Sequence, residues 1–366
     1  MNKEKTELKI ESLRRLIIFI STLLVTLGVL VQLSVGSVFG LVKYGDNYHL
    51  VKKHVASLII GVLLYSIIKL FSKEFLMKYT KSIMVGSLIF LFAVKLEGLA
   101  ANGAVRWLTC GPVKCQPSEF VKIAVILWIS MHVYNYSEDF GRTKSLVKFT
   151  FFPILLALVV LEQPDYGTFV IIIGITITML FFSRISFILL SFSTICSLVG
   201  LAIISISQPY RLGRLEAWYS DCDTLQQQLG QCWQFLQSKA AIGSGGLLGI
   251  GPGNSYSRWG YLPSAHSDMV GSIIGEEYGF IGLFLIATLY AIFILALFIF
   301  SASAHNDYDK FIRLGFATWI FLQTLFNLGG TVGLLPITGI VLPFISYGGS
   351  AMVANFIGLG LVLRDD

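Results

Sequence analysis

The chain has 366 residues, 55% of them apolar and only 13% charged, with a mean hydropathy of +0.76. An ordinary soluble domain carries about 25% charged residues, so this composition excludes a soluble globule, and its apolar richness excludes a disordered chain. The net charge of +6 and pI near 9.0 come from basic residues scattered between apolar runs, not gathered in a stripe, which excludes a nucleic-acid surface and leaves an integral membrane protein.

Polar residues 1–15 end in Arg14-Arg15, and the uncharged run 16–36 that follows is long enough to cross a hydrocarbon layer of about 30 Å as a helix. No Ala-x-Ala cleavage site follows, so the run reads as an uncleaved first helix behind a cytoplasmic N-terminal segment. Further apolar stretches lie at 55–71, 83–94, 120–134, 149–161, 167–182, 187–207, 278–301, 311–327 and 350–363. Together they predict an all-α fold of about ten transmembrane helices in a single polytopic domain over 16–366. Several stretches are shorter than a lone span requires and must extend through flanking polar residues or be shielded by neighbours. Most of the 27 Lys and Arg residues fall on the side of the two termini, which places both termini in the cytoplasm. Segments 37–54, 97–118, 162–166, 208–275 and 328–349 are then extracytoplasmic, the longest lying between helices 7 and 8.

Four of the five cysteines, Cys110, Cys115, Cys222 and Cys232, fall on that outer face, and Cys196 lies in an apolar run. Thiols outside a cell membrane usually oxidise, and the near spacing favours Cys110–Cys115 and Cys222–Cys232, with cross-loop pairing and free thiols as alternatives.

The long loop ends in Tyr261-Leu262-Pro263-Ser264-Ala265-His266-Ser267-Asp268. A carboxylate at this water–lipid boundary is partly desolvated, which moves its pKa toward that of a general base. Asp268 is therefore the catalytic candidate, against an even alternative as a helix N-cap. His266 has no second ligand at metal spacing, so a zinc site is disfavoured. Glu276 and Glu277 fall near the start of the next span, where helix-dipole compensation competes with an ion pair or substrate contact. The cluster from Gly243 to Gly253 follows no strand and precedes no Lys-Ser/Thr, so it suits tight turns and backbone approach, not nucleotide phosphates. Glu119 and Lys122 share one helix face as a candidate ion pair.

In order, Arg106-Trp107-Leu108, Gln116-Pro117-Ser118-Glu119-Phe120-x-Lys122, Gln163-Pro164-Asp165-x-Gly167-Thr168, Pro209-Tyr210-Arg211-x-x-Arg214, Ala241-Ile242-Gly243-Ser244-Gly245-Gly246, Leu262-Pro263-x-x-His266-x-Asp268 and the segment Leu335-Pro336 to Ser350 resemble the SEDS family of bacterial peptidoglycan glycan-strand polymerases. Gly253-Asn254-Ser255, Tyr261-Leu262-Pro263 and Gly275-Glu276-Glu277 look more like its division branch than its elongation branch. The resemblance implies lipid II as substrate and inverting glycosyl transfer with Asp268 as the base. Arg106, Lys114, Arg211, Arg214, Lys239 and Arg258 suit the pyrophosphate, and Glu119, Lys122 and His266 join the substrate-binding set. It also implies a bacterial inner-membrane location, a class B penicillin-binding protein supplying the transpeptidase, and other division proteins as partners. No cofactor is required; a divalent cation is compatible with the chemistry, with no ligand assigned. The sequence departs from the family at Ser264, Ser267 and Met269-Val270-Gly271-Ser272, which flank Asp268 and leave it intact.

Two other functions compete. A lipid II flippase should show repeats with helices broken at the midplane, which the sequence lacks. A non-catalytic division scaffold would not need Asp268.

Overall fold

The structure, a computed structural model, describes residues 2–101, 104–110, 113–135, 143–183, 209–219 and 222–364, with single residues between 185 and 200. The first helix, α1 (Asn2–Tyr44), takes in the polar N-terminal segment and runs well past the expected end. It is followed by α2 (His49–Ile68) and α3 (Lys73–Glu97). Ser72 starts α3 as its N-cap, its hydroxyl accepting from Phe75 N. Next comes a small antiparallel sheet of β1 (Leu99–Ala101), β2 (Ala104–Cys110) and β3 (Val113–Cys115), in the order β1-β2-β3. It amends the all-α expectation: the connection between α3 and α4 satisfies part of its backbone as strand ladders.

α4 (Pro117–Asn135) opens on a proline, whose missing N–H costs nothing in a first turn. α5 (Thr143–Glu162) and α6 (Tyr166–Phe182) are joined by a short turn, with the Asp165 carboxylate capping α6 through Thr168 N. The expected span 187–207 lies largely outside the described residues. The long loop contains α7 (Pro209–Tyr219), α8 (Leu225–Leu229), α9 (Trp233–Gly245) and a 3-10 turn at Ser257–Trp259. The chain then forms α10 (Val270–Ala302), α11 (Asp307–Val332) and α12 (Gly349–Val362).

Among the described residues, five helices are long and apolar enough to cross a membrane: Glu7–Tyr44, His49–Ile68, Lys73–Leu96, Val270–Ala302 and Asp307–Val332. α4 is not among them because it carries Glu119, Lys122 and His132, which it can do because it is walled by protein: every residue from Pro117 to Val133 except Phe120 is buried. The outer helices instead expose large apolar side chains such as Phe19, Leu63, Ile89 and Leu295, as expected where lipid replaces water.

α10 starts at Val270, ahead of the expected 278, and breaks at Gly279 (φ 68°). At the break, Ile250 N and Gly251 N donate to Glu276 O and Glu277 O, and Phe280 N and Ile281 N donate to Gly246 O and Leu247 O. A Cβ on Gly279 would lie 2.4 Å from Gly249 N, and one on Gly245 2.0 Å from Gly275 O. The glycine cluster thus packs backbone against backbone.

Candidate active site

Asp268 ends a tight turn in which Ser267 N and Met269 N both donate to Ser264 O. The N-cap of α10 is Met269, with no side-chain cap bond, so Asp268 does not cap the helix. Its Oδ1 accepts from Ser267 Oγ at 2.9 Å, and its main-chain oxygen accepts from Asn327 Nδ2 of α11 at 2.9 Å. Burial pushes the Asp268 carboxyl above its ordinary value, and the Ser267 hydroxyl and the Arg214 charge oppose that rise in part. A buried carboxylate with a raised pKa is a stronger base than an exposed one.

Arg214, on α7, lies close enough for its charge to act on this carboxylate, and its Nη1 donates to Ile337 O at 2.9 Å. Gly339 (φ 77°) lies between the two groups: a Cβ there would sit 3.5 Å from Arg214 Nη1 and 3.8 Å from Asp268 Oδ2. Three segments distant in sequence therefore meet at one point, namely α7, the 264–269 turn and the 333–348 connection. An arginine beside a carboxylate offers charge-assisted hydrogen bonds to an anion while leaving the base in place.

His266 packs its ring on Phe39 (centroids 4.2 Å apart) and near Tyr347 (5.7 Å). Burial lowers its imidazole pKa to about 4, so it is neutral at pH 7, and its carbonyl accepts from Gln32 Nε2 and Tyr347 N. Among the described residues, no group of three or more His, Cys, Asp or Glu gathers as metal ligands. Asp268 with one serine is a poor cation donor set.

The other basic candidates are dispersed. Arg106 donates to Gln163 O and Pro164 O and lies 4.0 Å from Asp165. Arg258 ties its loop to α1 through Ser34 O and Ser34 Oγ, and also donates to Gly253 O. Lys239 is exposed, its ammonium 4.2 Å over the Phe235 ring, and Lys114 is exposed on β3. Arg211 lies on α7, with its side chain outside the described residues.

Glu119 and Lys122 form an ion pair of 2.8 Å with side chains 8% and 1% exposed. Lys122 Nζ also donates to Gln323 Oε1 at 3.3 Å and lies 4.4 Å over the Trp319 ring, and Gln323 Nε2 donates to Val341 O. The pair faces α11, where it braces the connection that carries Gly339. Because α10 begins early, Glu276 and Glu277 stand past its first turn, correcting the helix-start expectation: Glu276 accepts from Ser255 Oγ and Tyr256 N, and Glu277 from Ser34 Oγ. Cys222 and Cys232 form a disulfide. The Cys110–Cys115 pairing depends on Cys110, whose side chain lies outside the described residues.

Gln32, Gln323 and Asn327 fall in none of the sequence motifs. The available signal was a polar side chain inside an apolar run, which is costly unless it has a partner.

A multi-pass helical membrane protein with a buried carboxylate near an arginine is the class that fold and site define. The profile of the cell cycle protein family of FtsW, RodA and SpoVE matches residues 14–365, and the chain belongs to that family. It is 30% identical to the probable peptidoglycan glycosyltransferase FtsW of Wigglesworthia glossinidia brevipalpis, over 100% of this chain and 96% of the relative. It is 31% identical to stage V sporulation protein E of Bacillus subtilis, over 95% of both chains. Among solved structures, a chain of a peptidoglycan synthase complex superposes with a TM-score of 0.73 at 28% identity, covering 95% of this chain and 96% of that one. The rod shape determining protein RodA of Thermus thermophilus gives a TM-score of 0.67 at 25% identity, covering 95% and 94%.

Proposed function

We propose that the chain is a peptidoglycan glycosyltransferase that polymerises lipid II during cell division, with Asp268 as general base. The observation that carries this reading is the buried Asp268 carboxylate, raised by burial, with Arg214 brought to its side across Gly339. Asp268 takes the proton of the acceptor sugar 4-hydroxyl. That oxygen then attacks the anomeric carbon of the donor strand, and the bond to the lipid pyrophosphate breaks with its electron pair going to the phosphate oxygen. Attack from the face opposite the leaving group inverts the centre and gives a β-1,4 link. Arg214, aided by Lys239, meets the charge that develops on the pyrophosphate.

In this reading the chain sits in the bacterial cytoplasmic membrane with both termini inside and Asp268 on the outer face. A class B penicillin-binding protein supplies the crosslinking reaction, since the chain carries no full transpeptidase motif set. The names of several relatives support the division branch. The test is polymerisation of labelled lipid II by the purified protein with its cognate penicillin-binding protein, comparing wild type with Asp268→Asn. Retained polymerisation in the variant refutes the base assignment.

A further inference from the structure

Asn327 lies in the second half of α11, is 3% exposed, and does two things at once. Its Nδ2 donates to Asp268 O at 2.9 Å and to Ile340 O at 2.7 Å. Two carbonyls on one nitrogen fix the orientation of the amide, because a flipped side chain would set Oδ1 against both oxygens. One acceptor belongs to Asp268 itself; the other belongs to the residue after Gly339, the point where Arg214 and the Asp268 carboxylate meet. Asn327 Oδ1 is buried and has no hydrogen-bond partner among the described residues. A buried polar atom left unpaired is costly, and a plain structural crosslink would not require one.

The two segments are also tied where Tyr347 N and Gln32 Nε2 donate to His266 O and where Gln32 Nε2 donates to Ile345 O. The Asp268 turn is closed by Ser264 O, and the 333–348 connection is held by Gln323 at Val341 O and by Arg214 at Ile337 O. Asn327 bonds Asp268 itself and the residue after Gly339, where Gln32 ties the same two segments farther from the carboxylate, at His266 and Ile345.

We infer that Asn327 is a positioning residue for the glycosyl transfer: it sets the spacing between Asp268 and the Gly339 connection, and so the placement of the base relative to Arg214 and the two sugars. This inference rests on the reading of Asp268 as the base. A misplacement of about 1 Å at a reacting centre costs up to about 10²-fold in rate. The loss falls on kcat, since Asn327 itself touches no substrate.

The experiment uses the full chain with its cognate penicillin-binding protein in nanodiscs and follows lipid II polymerisation for Asn327→Leu, Asn327→Asp and Asp268→Asn. Asn327→Leu removes both donors, and kcat should fall by about 10- to 100-fold with KM within about 2-fold. Asn327→Asp keeps the shape but sets a carboxylate against two carbonyls and close to Asp268. The acid limb of its kcat/KM profile should move to higher pH, a change that loosened packing would not produce. If Asn327→Leu does not reach the membrane folded, the near-isosteric Asn327→Asp decides through that limb. Wild-type kcat in Asn327→Leu, or an unmoved limb in Asn327→Asp, with Asp268→Asn inactive, overturns the positioning role alone. Full activity in Asp268→Asn overturns the base reading itself.

Discussion

Replacing Glu119 tests whether the α4–α11 brace holds the outer site. The ion pair is 2.8 Å long, and the ammonium of Lys122 is 1% exposed, so neither charge has water to fall back on. Removing one partner of such a pair costs about 3–5 kcal/mol, chiefly because the other charge is left buried and uncompensated. Two contacts remain for Lys122, the Gln323 Oε1 acceptor at 3.3 Å and the Trp319 ring at 4.4 Å. Glu119→Gln also keeps an oxygen near the ammonium, so its cost should fall near 3 kcal/mol and that of Glu119→Leu near 5 kcal/mol, the two ends of the range. The double variant Glu119→Leu/Lys122→Met removes both charges and should return to within about 1 kcal/mol of wild type, as apolar replacements of buried pairs often do. Unfolding of wild type, Glu119→Leu, Lys122→Met and the double variant in one lipid composition gives the double-mutant cycle. The reasoning is refuted if both single variants unfold with wild-type stability, or if the double variant is no better than the worse single.

Asp268→Asn should lower polymerisation by about 10²–10⁴-fold. Because burial raises the folded-state pKa of Asp268 above 3.8, its ionised form is disfavoured in the fold, and it costs stability as pH rises through the folded value. Above that pH, Asp268→Asn should match or exceed wild type in melting temperature while kcat/KM of the wild type climbs; a variant less stable at pH 8 than at pH 5, relative to wild type, contradicts the assignment. With the His266 imidazole near pKa 4, the activity profile should show no histidine limb between about pH 5 and 8, which a full pH–rate curve would reveal. Gly279→Ala drives a Cβ to 2.4 Å from Gly249 N and should abolish folded protein by size-exclusion. Gly260→Ala, at φ 105° with open space around it, should cost only about 1–2 kcal/mol of backbone strain. Cys222→Ser/Cys232→Ser opens a loop of sequence separation 10 and should lose about 2–3 kcal/mol. Its KM for lipid II should rise as α7 and Arg214 loosen; an unchanged KM would show that other contacts seat Arg214.

Spacing and apolarity made the helices legible in the sequence, since a run such as 16–36 has few alternatives in a chain this apolar. The start of α10 was misplaced for a physical reason. Residues 270–278 include Glu276 and Glu277, which look like a water-facing terminus until their partners Ser255 and Ser34 are known. Asp268 was readable because it is a carboxylate at the end of a polar loop. Arg214 could be named but not distinguished from Arg106 and Arg258, because all three donate to backbone carbonyls and what separates them is that Arg214 lies across Gly339 from Asp268. Gln323 and Asn327 escaped notice because an uncharged polar residue barely alters a hydropathy run, although inside the bundle each joins two segments far apart in the chain. The small sheet was hidden in a stretch too short for alternation to stand out.

The break at Gly279 separates two regimes of tolerance to length change. Between Gly246 and Ile281, four backbone hydrogen bonds register the turn against the two halves of α10, and an insertion of one residue on either side would shift every pairing beyond it. Between Cys222 and Cys232, α8 has no buried residue, and the disulfide closes the segment on itself, so extra residues would loop outward without reaching the site. Lineages of this family can therefore lengthen or shorten the chain freely near 224–230, where a partner or tag can be accommodated, while 246–281 must keep its residue count. An epitope inserted after Gln228 should leave the polymerase intact, and one inserted after Gly251 should not.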